Sequence, residues 1–219
     1  MPILLRLLVA LSFGLAPTLS QAQWGVPWRF TPSIVVVGAE DDVRVALVRD
    51  AVVFWNQRLE QAGSAFRLPE PSVETHAVPE EVLQSVSQSI LSGSSSSLFV
   101  PPVLRGLSGD LSIVLGESDF VSFATPFFDG RSKRVVAIRG MNTAPLSLQN
   151  VARNVVAHEI GHAIGFGHNA DAALLMCGRP APCRPALFQS ADARFFLLSD
   201  NEMRELKSMY PAALPPRGR

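Results

Sequence analysis

Residues 151–169 read VARNVVAHEIGHAIGFGHN, and within them His158, Glu159, His162, Gly165 and His168 spell H-E-x-x-H-x-x-G-x-x-H. On an α-helix, residues four apart lie one turn apart on the same face, so His158 and His162 present two imidazoles to one point. Glu159 follows the first histidine by one position. It cannot be a further ligand from that face, but it can reach a water bound at that point, which is where a general base belongs. Gly165 can take the left-handed conformation that ends a helix in a sharp turn without steric cost. The turn brings His168 back as a third nitrogen donor and leaves a fourth tetrahedral position open, as catalytic rather than structural zinc sites do. Five such fixed positions arise by chance in roughly one chain in 10⁵ of this length. An ordinary amphipathic helix carrying stray histidines is therefore the poorer reading.

These residues resemble the motif of the metzincin metallopeptidases. That clan has a tight turn with a methionine beneath the zinc, and Ala173-Leu174-Leu175-Met176 places Met176 soon after His168. The short interval is most similar to that of the matrixins; without it, Met176 would read as a filler of the core. The resemblance implies an α+β fold of the zincin type: a mixed twisted sheet packed on a long helix, an active-site helix, a Met-turn and a C-terminal helix. It further implies one catalytic zinc on His158, His162 and His168, with Glu159 as the catalytic carboxylate. Gly165 and Met176 give structural support, and the substrate is a protein or peptide. Three departures narrow it. Almost nothing lies between the expected leader and the first strand, so latency through a pro-domain cysteine is not expected. The histidines that hold a second, structural zinc in many vertebrate members are missing. The residue two after Met176 is Gly178 rather than tyrosine, against the astacin-like and serralysin-like arrangement.

The chain opens MPILLRLLVALSFGLAPTLSQAQ, with one cation at Arg6, an apolar run from Leu7 to about Ala16, and Ser20-Gln21-Ala22 as a small-x-small site. This reads as a secretory signal peptide over residues 1–22, cleaved after Ala22, and places the protein in the periplasm or outside the cell. No later stretch approaches about 20 consecutive apolar residues, so no integral membrane span is expected. Residues 23–212 read as one catalytic domain and 213–219 as a disordered Pro-rich tail. The 19 basic and 19 acidic residues balance, and no basic stripe with interleaved aromatics suggests nucleic acid. Nothing marks an oligomer, so a monomer is the default. Both cysteines, Cys177 and Cys183, fall in CGRPAPC just after Met176. In an oxidising compartment two nearby cysteines most often pair, the alternatives being two free thiols or an extra metal ligand. By the matrixin resemblance this loop shapes the pocket for a substrate side chain.

Elsewhere the β-branched run at 33–37 reads as a strand ended by Gly38, and Glu40, Asp41 and Asp42 suit the start of a helix. Val43, Leu47, Ala51, Phe54, Trp55 and Leu59 recur at helical spacing to about Ala62, with Gly63 as a stop. Strands are expected at 65–68, 73–76, 110–116, 121–127 and 134–139, and a second helix from Pro79 with Val82, Leu83, Val86 and Ile90 on one side. The stretch 92–97, SGSSSS, reads as a flexible loop. By the resemblance, an edge strand that peptides join lies within 121–127. Ser147 is the expected N-cap of the histidine helix, and Leu148, Val151, Val155 and Ile164 its anchors. Ser199 and Glu202 form a capping box ahead of an apolar side of Met203, Leu206, Met209 and Tyr210. His76 reads as an ordinary surface histidine. Asp110, Asp119 and Asp129 read as loop acids that lend structural calcium no support.

The sequence thus points to a secreted zinc endopeptidase. Two other classes are carried beside it: a zinc-binding protein of the same fold without catalysis, and a zinc hydrolase of a non-protein substrate. The carboxylate at Glu159 disfavours the first, because binding alone needs no base there.

Overall fold

Three stretches of aliphatic residues, IVVV, LSIVL and RVVAI, form β1 (Ile34–Val37), β3 (Leu111–Leu115) and β5 (Arg134–Ile138). Strands this uniformly apolar have no face to give to water and belong inside a sheet covered on both sides. In the computed structural model, which describes residues 26–92, 100–125, 133–178 and 192–212, they occupy the middle of a five-stranded sheet of order β2-β1-β3-β5-β4. β2 (Ser72–Glu74), β1, β3 and β5 run parallel, in the register Val36↔Val73, Val36↔Ile113 and Ile113↔Val136. β4 (Phe123–Thr125) pairs antiparallel with β5, Ala124 opposite Val136, and forms one edge. The expected leader 1–22, Asp129, Cys183, the tail 213–219 and most of the serine-rich stretch lie outside the described residues.

Alternation along the strands sends side chains into two cores. Ile34, Val36, Leu111, Ile113, Leu115, Val136 and Ile138 face α1 (Val43–Gln61), α4 (Gln149–Ala163) and α5 (Asp200–Met209). Val35, Val37, Val114, Val135 and Ala137 face α2 (Glu80–Leu91) and the short α3 (Pro102–Arg105) through Leu83, Val86 and Leu104. The sheet is mixed, as the α+β reading requires, but four strands are parallel and helices cover both faces. The arrangement is therefore α/β: the connections from β1 to β2 and from β2 to β3 pass through helices that lie on the faces, while β3 reaches its parallel neighbour β5 by way of β4.

α1 begins where Asp42 accepts a hydrogen bond from the Arg44 backbone N–H at 2.8 Å, and ends before Gly63 at φ 76°. Its Trp55 is fully buried, stacks on Phe166 and donates Nε1–H to the Ala157 carbonyl of α4 at 2.9 Å. Two local expectations are corrected. Residues 65–68 form no strand; the Asn56 side chain accepts from Leu68 N–H and donates to Leu68 C=O, both at 2.8 Å, and so takes the place of a neighbouring strand. Ser147 does not cap α4. Its backbone N–H turns back to Thr143 C=O and the helix starts from Leu148, which has no side-chain cap and is 40% exposed rather than an anchor.

The capping box on α5 forms as expected, and the helix runs on into Tyr210. The Tyr210 hydroxyl donates to the Ile164 carbonyl at 2.7 Å and accepts from Trp28 N–H at 3.1 Å. Trp28 Nε1–H donates to the Ala163 carbonyl at 2.9 Å, and Arg134, lying over the Trp28 ring, donates to Ala163 and Val26 carbonyls. The last carbonyls of α4, which have no partner inside the helix, thereby gain donors from three distant parts of the chain. A cation at the C-terminal end of a helix is also the favourable sign for its dipole.

Burial pushes the Tyr210 phenol up from 10.0 to about 12, against the smaller opposing pull of the Trp28 N–H and the Arg134 charge. The unfolded chain then loses this proton at a lower pH than the folded one. Stability contributed by the protonated phenol is whole below pH 10 and falls as the pH rises towards about 12, by about 2–3 kcal/mol. Urea titrations between pH 9 and pH 12 should show this loss in the natural chain and not in Tyr210→Phe, which should be less stable by about 1–3 kcal/mol at pH 9 and draw level with the natural chain as the pH rises. Parallel pH curves for the two would contradict the assignment.

Candidate metal centre

α4 packs on α1 through Ala157, whose carbonyl accepts from Trp55, through Gly161 against the Trp55 ring and through the Arg153–Asp50 pair, so one side of the helix is fixed. His158 and His162 lie a turn apart on it. The helix ends at Ile164, and Gly165 follows with φ 117°. Gly165 N–H bonds His162 C=O and Phe166 N–H bonds Gly161 C=O, both at 3.0 Å, which is the paired bonding of a helix ended by a left-handed residue. His168 follows two residues later.

The three rings converge through the same atom. Nε2 of His162 lies 3.0 Å from Nε2 of His158 and 2.9 Å from Nε2 of His168, and the remaining pair is 3.3 Å apart. The other ring nitrogens settle the protonation. Nδ1 of His158 is 2.8 Å from the Leu175 carbonyl, and Nδ1 of His162 is 2.8 Å from the Phe166 carbonyl. A carbonyl oxygen only accepts, so each Nδ1 carries the hydrogen and each Nε2 presents a lone pair. The His162 ring is held well below its ordinary pKa by burial, then by the neighbouring His158 and His168, with the Phe166 carbonyl opposing in part; burial lowers His168 as well. Neutral imidazoles are the form that binds metal.

Zinc–nitrogen bonds of about 2.0–2.1 Å in a tetrahedron put neighbouring donors about 3.3 Å apart. The separations found here are close to that edge, so the donor set fits a tetrahedral zinc. Among the described residues these three histidines are the one group of His, Cys, Asp and Glu side chains able to hold an ion. His76 is exposed and outside it. Asp110 accepts from Ser33 N–H and Oγ–H, and Asp119 pairs with Arg139. Glu159 is buried in α4 and points about 100° round the helix from His158.

Residues 174–178 brace the site from below. Cys177 N–H bonds Leu174 C=O across a tight turn with Met176 at its centre, and Met176 is fully buried. The Leu175 carbonyl in this turn is the partner of His158. Met176 lies under Gly161, between the two helical histidines, where a Cβ would come 2.5 Å from the Met176 sulfur and 2.8 Å from Trp55. At Gly178 a Cβ would overlap Cγ, Cδ2 and Nδ1 of His168. Cys177 is disulfide-bonded. The close packing of Gly161 on Met176 and of Gly178 on His168, and the roles of the Leu175 and Phe166 carbonyls, were not read from the sequence, since they come from close approaches that no spacing announces.

No protein-family model matches the sequence, and a search of characterised proteins found no match. Solved structures do match. Archaemetzincin from Methanopyrus kandleri is similar with a TM-score of 0.50 and 17% identity, over 82% of this chain and 95% of that one. The likeness is one of fold: a mixed, mostly parallel sheet with its helices.

Because the His168 ring rests on Gly178 without room for a methyl group, Gly178→Ala should shift that ring. Competition for zinc against a chromophoric chelator should then show affinity reduced by about 10–100-fold. Equal affinity in the two proteins would show that the contact does not set the ring.

Proposed function

We propose that the chain is a zinc-dependent endopeptidase. The observation that carries this reading is the meeting of three Nε2 atoms at about the edge length of a zinc tetrahedron, two of them presenting lone pairs because the Nδ1 protons of His158 and His162 are committed to carbonyls. His158, His162 and His168 would hold the ion. Bound there with a fourth position open, zinc supplies Lewis acidity towards a carbonyl and a water with a pKa lowered to about 7.

Glu159 is the group that moves protons. It takes one from the attacking water as the new C–O bond forms, and returns it to the amine nitrogen as the C–N bond breaks, serving as base and then as acid. β4 lies at the sheet edge, paired with β5 on one side only among the described residues. Phe123, Ala124 and Thr125 are buried, so the preference for a peptide over non-protein substrates rests on the metzincin resemblance of the sequence rather than on this edge.

Finer parts of the reading rest on the sequence. The short interval from His168 to Met176, with the Leu198-Ser199 start and terminal Tyr210 of the last helix, supports a matrixin-like subtype. The apolar run and small-x-small site of residues 1–22 support secretion to the periplasm or medium, leaving residues 23–212 as the catalytic domain. No helix among the described residues is long and apolar enough to cross a membrane.

Purified protein incubated with casein should cleave it, stop when a chelator is added and recover with zinc. Glu159→Gln should retain one zinc per chain while turnover falls by about 10²–10⁴-fold. Zinc bound without cleavage of any peptide would contradict the endopeptidase reading in favour of the binding protein or the non-protein hydrolase, and full activity in Glu159→Gln would contradict the role given to that carboxylate.

A further inference from the structure

The α5 capping box contains a carboxylate oxygen that the helix does not use. Glu202 is 6% exposed; its Oε2 accepts from the Ser199 N–H at 2.7 Å and Oγ–H at 2.9 Å, while Ser199 Oγ accepts from the Glu202 N–H at 3.1 Å. Those bonds complete the cap. The other oxygen, Oε1, accepts from Asn169 Nδ2–H at 2.7 Å, 33 residues away in sequence.

Asn169 directly follows His168, and its remaining groups are also engaged. Its N–H donates to the Met176 carbonyl at 2.9 Å, its carbonyl accepts from Gly178 N–H at 3.1 Å, and its Oδ1 accepts from Asp171 N–H at 2.8 Å. The side-chain bond to Glu202 joins this local framework to α5. A carboxylate suits that position because both oxygens accept, and donors approach from two sides. A glutamine has one accepting oxygen, so it would turn an N–H towards either the Ser199 N–H or Asn169.

We propose that Asn169 and Glu202 are positioning residues for His168: the carboxylate oxygen that the α5 cap leaves over holds the residue beside the third imidazole, so that this one side-chain bond sets the completeness of the metal centre. This rests on the zinc reading above, and goes beyond it in making the affinity depend on a side chain from a helix that contributes no ligand.

The test uses the whole chain loaded with cobalt(II), whose visible bands report ligand geometry, together with zinc competition and thermal melting. Natural protein should take up one cobalt with the intense bands of a tetrahedral site. Asn169→Ala and Glu202→Gln should bind about tenfold more weakly with altered bands. Ser199→Ala, which weakens the cap but leaves the Asn169 bond, should melt at a lower temperature with unchanged affinity and spectrum. Asn169→Ala and Glu202→Gln with natural affinity and bands would overturn this inference and leave the zinc reading standing. So would Ser199→Ala weakening metal binding as much as they do, since loss of stability alone would then account for the effect. Failure of the natural protein to bind metal would overturn both.

Discussion

An imidazole that gives its Nδ1 proton to a carbonyl keeps only a lone pair at Nε2, and at this site two such lone pairs face each other across 3.0 Å with a third ring 2.9 Å from one of them. Dipole ends of the same sign repel at that distance, more so where water is excluded. Nothing in the helix repeat alone would keep the rings so. A cation among the nitrogens reverses the sign of the interaction. A proton is disfavoured by the burial of His162 and the neighbouring rings, while a divalent metal satisfies all three at once. A divalent ion held by all three nitrogens would therefore stabilise the folded chain.

What holds the rings in place is mostly backbone. The turn that ends α4 delivers the Phe166 carbonyl to His162, and the turn around Met176 delivers the Leu175 carbonyl to His158. Two glycines let these turns lie close, Gly161 over the Met176 sulfur and Gly178 against His168. Farther out, Trp55 ties α4 to α1, while Trp28, Arg134 and Tyr210 satisfy its last carbonyls. The site is a place where several helix and strand ends meet, each supplying a group that would otherwise lack a partner.

The parts legible in the sequence are those governed by local chemistry. The four-residue spacing of His158 and His162, the stops at Gly63 and Gly165, and the box of Ser199 and Glu202 are decided within a turn or two of chain, and each is found. The apolar runs of β1, β3 and β5 likewise announce strands, but not their parallel order, which depends on how the crossover helices pack. Two of the misses, at Asn56 and Arg44, share that long-range character, and the one at Ser147 is local. Asn56 occupies the bonding groups of Leu68, 12 residues away, and leaves no strand there. Arg44 is buried between Asp42 and Glu117 and donates to the Gly116 and Ile138 carbonyls, a role that a charged residue in a first helical turn does not advertise. Ser147 loses the N-cap because the preceding turn continues through it to Leu148.

The central claim is that the three Nε2 atoms share one zinc. X-ray absorption at the zinc edge, on protein loaded with one equivalent, tests it most directly. The account predicts a shell of three imidazole nitrogens and one further nitrogen or oxygen neighbour at about 2.0–2.1 Å, with the outer-shell pattern of histidine rings. A sulfur shell at about 2.3 Å, fewer than three imidazoles, or no zinc retained after gel filtration would contradict it.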